Sequence, residues 1–189
     1  MQKGSKVLIY RGEFILNVSL SKRGDYVLRA AIALAKAHEK GELRKLREIV
    51  EEMGVPSTFA PQVLTDLVKT NLVTSKAGKN GGFKLVRSPE SISLLQIIEA
   101  GEGPLHADYC ALGEGPCHWG SLCPLHDYWS RAVSQMKLEL NKVSLAQVAA
   151  CDIALEEGKV VVPRDSHRAK TRSVKDGDAT EVFEVSLKG

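Results

Sequence analysis

Apolar residues recur every three or four positions in several separate stretches of the chain. From Ser21 onward Tyr26, Leu28, Ala31, Ile32 and Ala35 keep helical spacing. Asp25 falls in the first turn, where a carboxylate suits the helix dipole, and Lys40-Gly41 supplies a basic residue and then a glycine to end it. A second stretch, Leu43 to Met53, is apolar at Leu43, Leu46, Ile49 and Val50 and stops at Gly54-Val55. Beyond Pro56, Ser57 is expected to cap a third helix whose inner face is Val63, Leu64, Leu67 and Val68. Two short helices joined by a glycine-containing turn, the second opening on small or polar residues, read as a helix-turn-helix. In that arrangement the first helix braces the second, whose outer face fits the major groove.

The period then shortens. Leu72-Val73-Thr74-Ser75 and Phe83-Lys84-Leu85-Val86 flank a Lys/Gly/Asn turn over 76–82, which predicts a basic β-hairpin, a wing. Ser93 with Gln96 resembles a capping box for a short helix from Leu94 to Ala100. Tyr109 to Cys123 is loop-like, and Pro124 suits the first position of the next helix. There Leu125, Trp129, Ala132, Met136, Leu140 and Val143 form nearly a heptad seam. Such a stripe is often plain core, but little chain remains to cover it, so a second copy is the expected cover. Ser144 with Gln147 opens a last helix near 145–157, and residues 164–178 are polar without periodicity. The expected fold is mainly α: a winged helix-turn-helix with a long C-terminal dimerisation helix and a cysteine-rich loop. Its expected organisation is an extension at 1–17, a DNA-binding unit at 18–90, loop and dimerisation helices at 91–160, and a disordered tail at 161–189.

Composition adds limits. With 189 residues, 43% hydrophobic and 26% charged, the chain can bury a core. No apolar run is long enough to cross a bilayer, and the apolar pieces before Leu20 are broken by Arg11 and Glu13, unlike a secretory signal. The cytoplasm is the expected compartment. Residues 18–90 carry 13 Lys and Arg against 8 Asp and Glu, whereas 91–189 carry 10 against 14. A basic first half followed by an acidic second half suits a DNA-reading head joined to a module with another task.

Chemistry concentrates in Cys110-x6-Cys117-x5-Cys123-x2-His126. A tight, odd set of cysteines suits a metal or redox role better than a disulfide scaffold. Glycines let such a segment wrap a soft metal centre, and His126 lies one turn into the helix that Cys123 introduces. Three thiolates with an imidazole suit either a structural zinc or an iron–sulfur cluster, and the spacing is unlike the close cysteine pairs of structural zinc sites. A nucleophilic Cys–His pair, as Cys117-His118 or Cys123 with His126, lacks any accompanying oxyanion-hole or substrate-pocket signal, so no enzyme is expected.

Leu20-Ser-Lys-Arg-Gly-Asp25-Tyr26 with Leu28-Arg29, the helix-turn-helix at 43–70, the wing Gly81-Gly82-Phe83 and the three cysteines together resemble the iron–sulfur winged-helix regulators typified by IscR, NsrR and RirA. The resemblance runs from about Leu20 to Val148. It implies a homodimeric transcription regulator, a repressor, whose grip on double-stranded promoter DNA follows cluster supply, iron, nitric oxide or redox state. It implies Cys110, Cys117 and Cys123 as cluster ligands. His126 matches the histidine ligand of the IscR type, favouring a 2Fe–2S cluster, and Asp25 matches an aspartate that some NsrR-type proteins lend to a 4Fe–4S cluster of the neighbouring subunit. Here six residues separate the first two cysteines where the IscR type has five. A zinc-stabilised regulator without a redox cluster is the alternative.

Ser57, Thr58, Phe59 and Gln62 open the second helix of the pair, where base contacts are made. Gln62 matches a base-contacting glutamine of the IscR type, and glutamine can grip adenine with two hydrogen bonds. Ser57 and Thr58 could equally cap the helix or meet phosphate, and Phe59 could be core. Ala77 stands where family members place a minor-groove arginine, flanked by Lys76 and Lys79. These two lysines, with Arg44, Lys45 and Lys84, are the candidate phosphate contacts.

Overall fold

The computed structural model describes residues 19–105, 119 and 123–160. The expected extension at 1–17 and tail at 161–189 lie outside them. Among these described residues six α-helices, α1 (Lys22–His38), α2 (Leu46–Met53), α3 (Ala60–Lys69), α4 (Leu94–Glu102), α5 (His126–Lys142) and α6 (Leu145–Glu156), accompany one two-stranded sheet of β1 (Val73–Lys76) and β2 (Gly82–Leu85). This is a mainly α, winged helix-turn-helix fold.

Helix α1 is its axis: α2, α3, α4, α6 and β2 all pack on it. Ser21 Oγ accepts the Gly24 N–H at 3.1 Å, so the helix starts where the sequence predicts. Val27, Ala30, Ala31 and Leu34 are buried along it and meet Ile49, Val63, Leu64, Leu67, Leu85, Ile97 and Leu145. Small residues set the crossing of α1 and α4. A Cβ on Gly101 would stand 2.8 Å from Gly24 Cα, closer than carbon atoms tolerate.

Both Ser-x-x-Gln boxes form. Ser93 and Ser144 accept the N–H groups of Gln96 and Gln147 at 3.3 and 3.2 Å. The two starting points are also tied together, since Leu94 N–H donates to Val143 O at 2.8 Å and Leu145 N–H to Ile92 O at 2.7 Å. The hairpin pairs antiparallel with Val73 opposite Leu85 and Lys76 opposite Gly82. A third segment joins it, because Arg44 and Phe83 exchange backbone hydrogen bonds of 2.9 and 2.8 Å. Gly82 permits this approach, since its Cβ would lie 2.7 Å from Arg44 O.

Four expectations need correction. Ser57 does not cap α3: the N–H groups of Phe59 and Ala60 both donate to Pro56 O, at 2.9 and 3.1 Å, so Phe59 takes the cap position in a chain already turned by proline. Val68 is 37% exposed, and Asp66 occupies the buried face instead. Cys151, read as an ordinary buried helix cysteine, is exposed, because α6 turns Leu145 and Ala149 inward. Helix α5 begins at His126 rather than at Pro124, which sits in the turn before it. None of the six seam residues of α5 is buried; Val133 is the one residue of this helix that is. Among the described residues no helix is long and apolar enough to cross a membrane.

Candidate nucleic-acid interface and cysteine segment

The helix-turn-helix is built by α2, the turn 54–59 and α3. Gly54 at φ 62° closes α2 in the left-handed conformation, and Pro56 gathers the first N–H groups of the next helix. Ser57, Thr58, Phe59 and Gln62 are all exposed at the head of α3. Phe59 is neither core nor free: it is 52% exposed, and its ring lies tilted 5.7 Å from that of Tyr26 on α1. Lys76 ends β1, and Lys79 sits in the hairpin turn, both exposed. Arg44 is engaged inside the fold, its guanidinium against Glu48 at 3.4 Å and against Glu52. Lys45 is exposed at the start of α2 and donates its N–H to Glu48 Oε2 at 2.9 Å.

Beneath this surface Asp66 is only 3% exposed. Arg23 Nε reaches its Oδ2 at 2.8 Å, and Gln62 Nε2 donates to its Oδ1 at 2.9 Å. Burial alone would push the carboxyl up, but the hydrogen bonds from Arg23 and Gln62 outweigh it and hold Asp66 below the usual carboxylate range. Asp66 and Arg23 were not among the sequence candidates. The available signal was an acidic residue one helical turn beyond Gln62, on the apolar side of α3.

Asp25 faces the same junction. Arg29 holds it with two contacts, Nε to Oδ1 at 3.0 Å and Nη2 to Oδ2 at 2.8 Å. The same guanidinium donates to Met53 O at 3.3 Å and lies 6.0 Å from the Tyr26 ring centre. The first turns of α1 are thereby joined to both ends of the turn between α2 and α3.

In the sequence the cysteine segment lies between α4 and α5. Before it Glu102 Oε1 accepts the Ser21 N–H at 2.7 Å, pinning α4 to the start of α1. After it the His126 N–H donates to Cys123 O at 3.1 Å, so Cys123 and His126 share one turn. Cys123 is half-buried and His126 exposed. Cys110 and Cys117, like His118, lie outside the described residues, and among those described no set of three or more His, Cys, Asp or Glu side chains is gathered for a metal.

Comparison with known proteins gives a consistent answer. The family model described as Rrf2, an iron-dependent transcriptional regulator, matches residues 20–151. Rv1287 of Mycobacterium tuberculosis, a proposed HTH-type transcriptional regulator, is 31% identical over 131 residues, spanning 69% of this chain and 80% of its own. The HTH-type transcriptional regulator IscR of Escherichia coli is 27% identical over 157 residues, 83% of this chain and 96% of its own. Among solved structures, CymR, the global cysteine regulator of B. subtilis, superposes with a TM-score of 0.58 at 25% identity, covering 71% of this chain and 98% of that one. The T. potens IscR structure also reaches 0.58 at 23% identity, over 78% and 95% of the two chains.

Proposed function

This chain belongs to the Rrf2 family of transcriptional regulators, and from that premise we propose a homodimeric, cytoplasmic DNA-binding regulator whose affinity or site choice is governed by an iron–sulfur cluster on Cys110, Cys117 and Cys123. Its similar proteins are transcription regulators, not enzymes. The observation that carries the proposal is the shared turn of Cys123 and His126 at the head of α5, a cysteine and a histidine joined by one backbone hydrogen bond. His126 is the proposed fourth ligand. Asp25 is the less suited group, because ligating iron would cost it the two contacts with Arg29. When bound, the cluster supplies a centre open to oxidation, nitric oxide and iron loss.

The chain's own residues account for the response. Glu102, at the end of α4, couples that helix to the start of α1. Tyr26 and Arg29 couple α1 to Phe59 and Met53, which bracket the turn leading into α3. Ser57, Thr58, Phe59 and Gln62 are proposed to meet bases or nearby phosphates, with Lys76 and Lys79 attracting phosphate from the wing. The uncovered face of α5 is proposed to be the dimer contact within the 91–160 unit, below a DNA-binding unit at 18–90.

Purified without oxygen, the protein is expected to be brown, to contain iron and inorganic sulfide, and to lose its visible absorbance when any of Cys110, Cys117 or Cys123 becomes alanine. Its paramagnetic resonance spectrum after reduction should change in His126→Ala and persist in Asp25→Ala. Colourless protein with stoichiometric zinc, or iron-free protein that still controls its promoter, overturns the cluster reading.

A further inference from the structure

The pair Gln62–Asp66 points to a rule for what the protein reads. We propose that Asp66 is a specificity-determining residue: it fixes the amide of Gln62 so that Oε1 faces the duplex, which restricts the base pair under Gln62 to one offering a hydrogen-bond donor. The inference rests on Gln62 being a base contact, as proposed above.

The chemistry leaves one orientation. An ionised carboxylate has acceptors only, so the group facing Asp66 Oδ1 at 2.9 Å must be Gln62 Nε2 and never Oε1. Arg23 occupies the other oxygen at 2.8 Å and favours the ionised form. Asp66 is 3% exposed, so water does not compete for that bond, whereas Gln62 is exposed at the head of the helix. One Nε2 hydrogen is committed inward. Oε1 and the hydrogen beside it remain for DNA.

In the major groove adenine offers N6–H with N7 next to it, and cytosine offers N4–H. Guanine presents N7 and O6 there, and thymine O4 and a methyl group, none of which can donate to Oε1. Adenine satisfies both free positions of the amide at once. Cytosine satisfies Oε1 alone, and guanine and thymine accept only the remaining Nε2 hydrogen and leave Oε1 facing no donor. Adenine is therefore expected first, with guanine and thymine disfavoured against it on the order of tenfold.

Exchange of one atom should invert the rule. In Asp66→Asn, Arg23 still requires an oxygen, so the new Nδ2 turns to Gln62 and donates to its Oε1. Gln62 then presents Nε2 outward and suits acceptor bases. A merely structural lesion would weaken binding to all sequences alike.

The test is selection from a randomised duplex library by the full chain, purified without oxygen, as wild type, Gln62→Ala and Asp66→Asn. The position whose preference vanishes in Gln62→Ala is the one read by Gln62. There the wild type should select adenine, and in Asp66→Asn the ratio of adenine to guanine and thymine should fall by roughly threefold or more. A smaller fall, or a wild type that selects guanine or thymine at that position, overturns the role of Asp66 while leaving the base contact intact. If Gln62→Ala alters no position, the base contact itself is lost and the inference with it. Should Asp66→Asn fail to fold, the wild-type base choice at the Gln62 position decides.

Discussion

A carboxylate at the covered side of α3 needs partners, because burying an unpaired charge costs several kcal/mol. Asp66 finds them in Arg23 and Gln62. The depressed pKa fixes the sign of its contribution to stability. Asp66 binds its proton less readily in the folded than in the unfolded chain, so the stabilisation is complete above about pH 5 and is lost as pH falls below about 4. Arg23 is half exposed, which screens the pair, so Arg23→Met should cost only about 1 kcal/mol at neutral pH. Urea unfolding should show that difference unchanged between pH 6 and 8 and shrinking as the pH falls below about 4. The sequence made Gln62 visible but not the carboxylate behind it. Spacing alone placed Val68 inside α3, and only a guanidinium 43 residues away in the chain makes Asp66 the better tenant.

Among elements, α1, α2 and α6 meet at Lys36. Its ammonium, 11% exposed, lies 2.5 Å from Asp152, 2.9 Å from Glu156 and 3.7 Å from Glu52. Burial opposes the charge, yet hydrogen bonds to Asp152 and Glu156 outweigh it and raise the lysine above its usual range. The tie is therefore complete below about pH 10 and is lost only as the pH rises through the lysine's raised range. Through Glu52 it extends to Arg44, whose backbone holds the wing at Phe83. Lys36→Met should destabilise the protein by about 2 kcal/mol, since it leaves carboxylates facing one another. Adding Asp152→Asn should restore part of the loss, read as a partial recovery of the thermal midpoint. Helices were legible in the sequence because apolar spacing, Ser-x-x-Gln boxes and glycine stops all act locally. This junction was not, because its charges come from stretches separated by up to 120 residues.

At the scale of the whole molecule, the mainly α, winged helix-turn-helix architecture was legible from apolar spacing and turn signals. The exposure of Cys151 was not, since a helix apolar on several sides gives no sign of which side the fold itself covers. One contact made far from either site has a mechanical meaning. The bonds from Leu94 to Val143 and from Leu145 to Ile92 stitch the segment preceding the cysteines to the segment following them, and Lys36 adds a second stitch through α6. The covalent chain between Gly103 and Pro124 is thus redundant for holding the two halves together. A single protease cut there should yield two fragments under denaturing conditions that still travel as one particle on a sizing column, with α1 to α4 keeping α5 and α6 in tow.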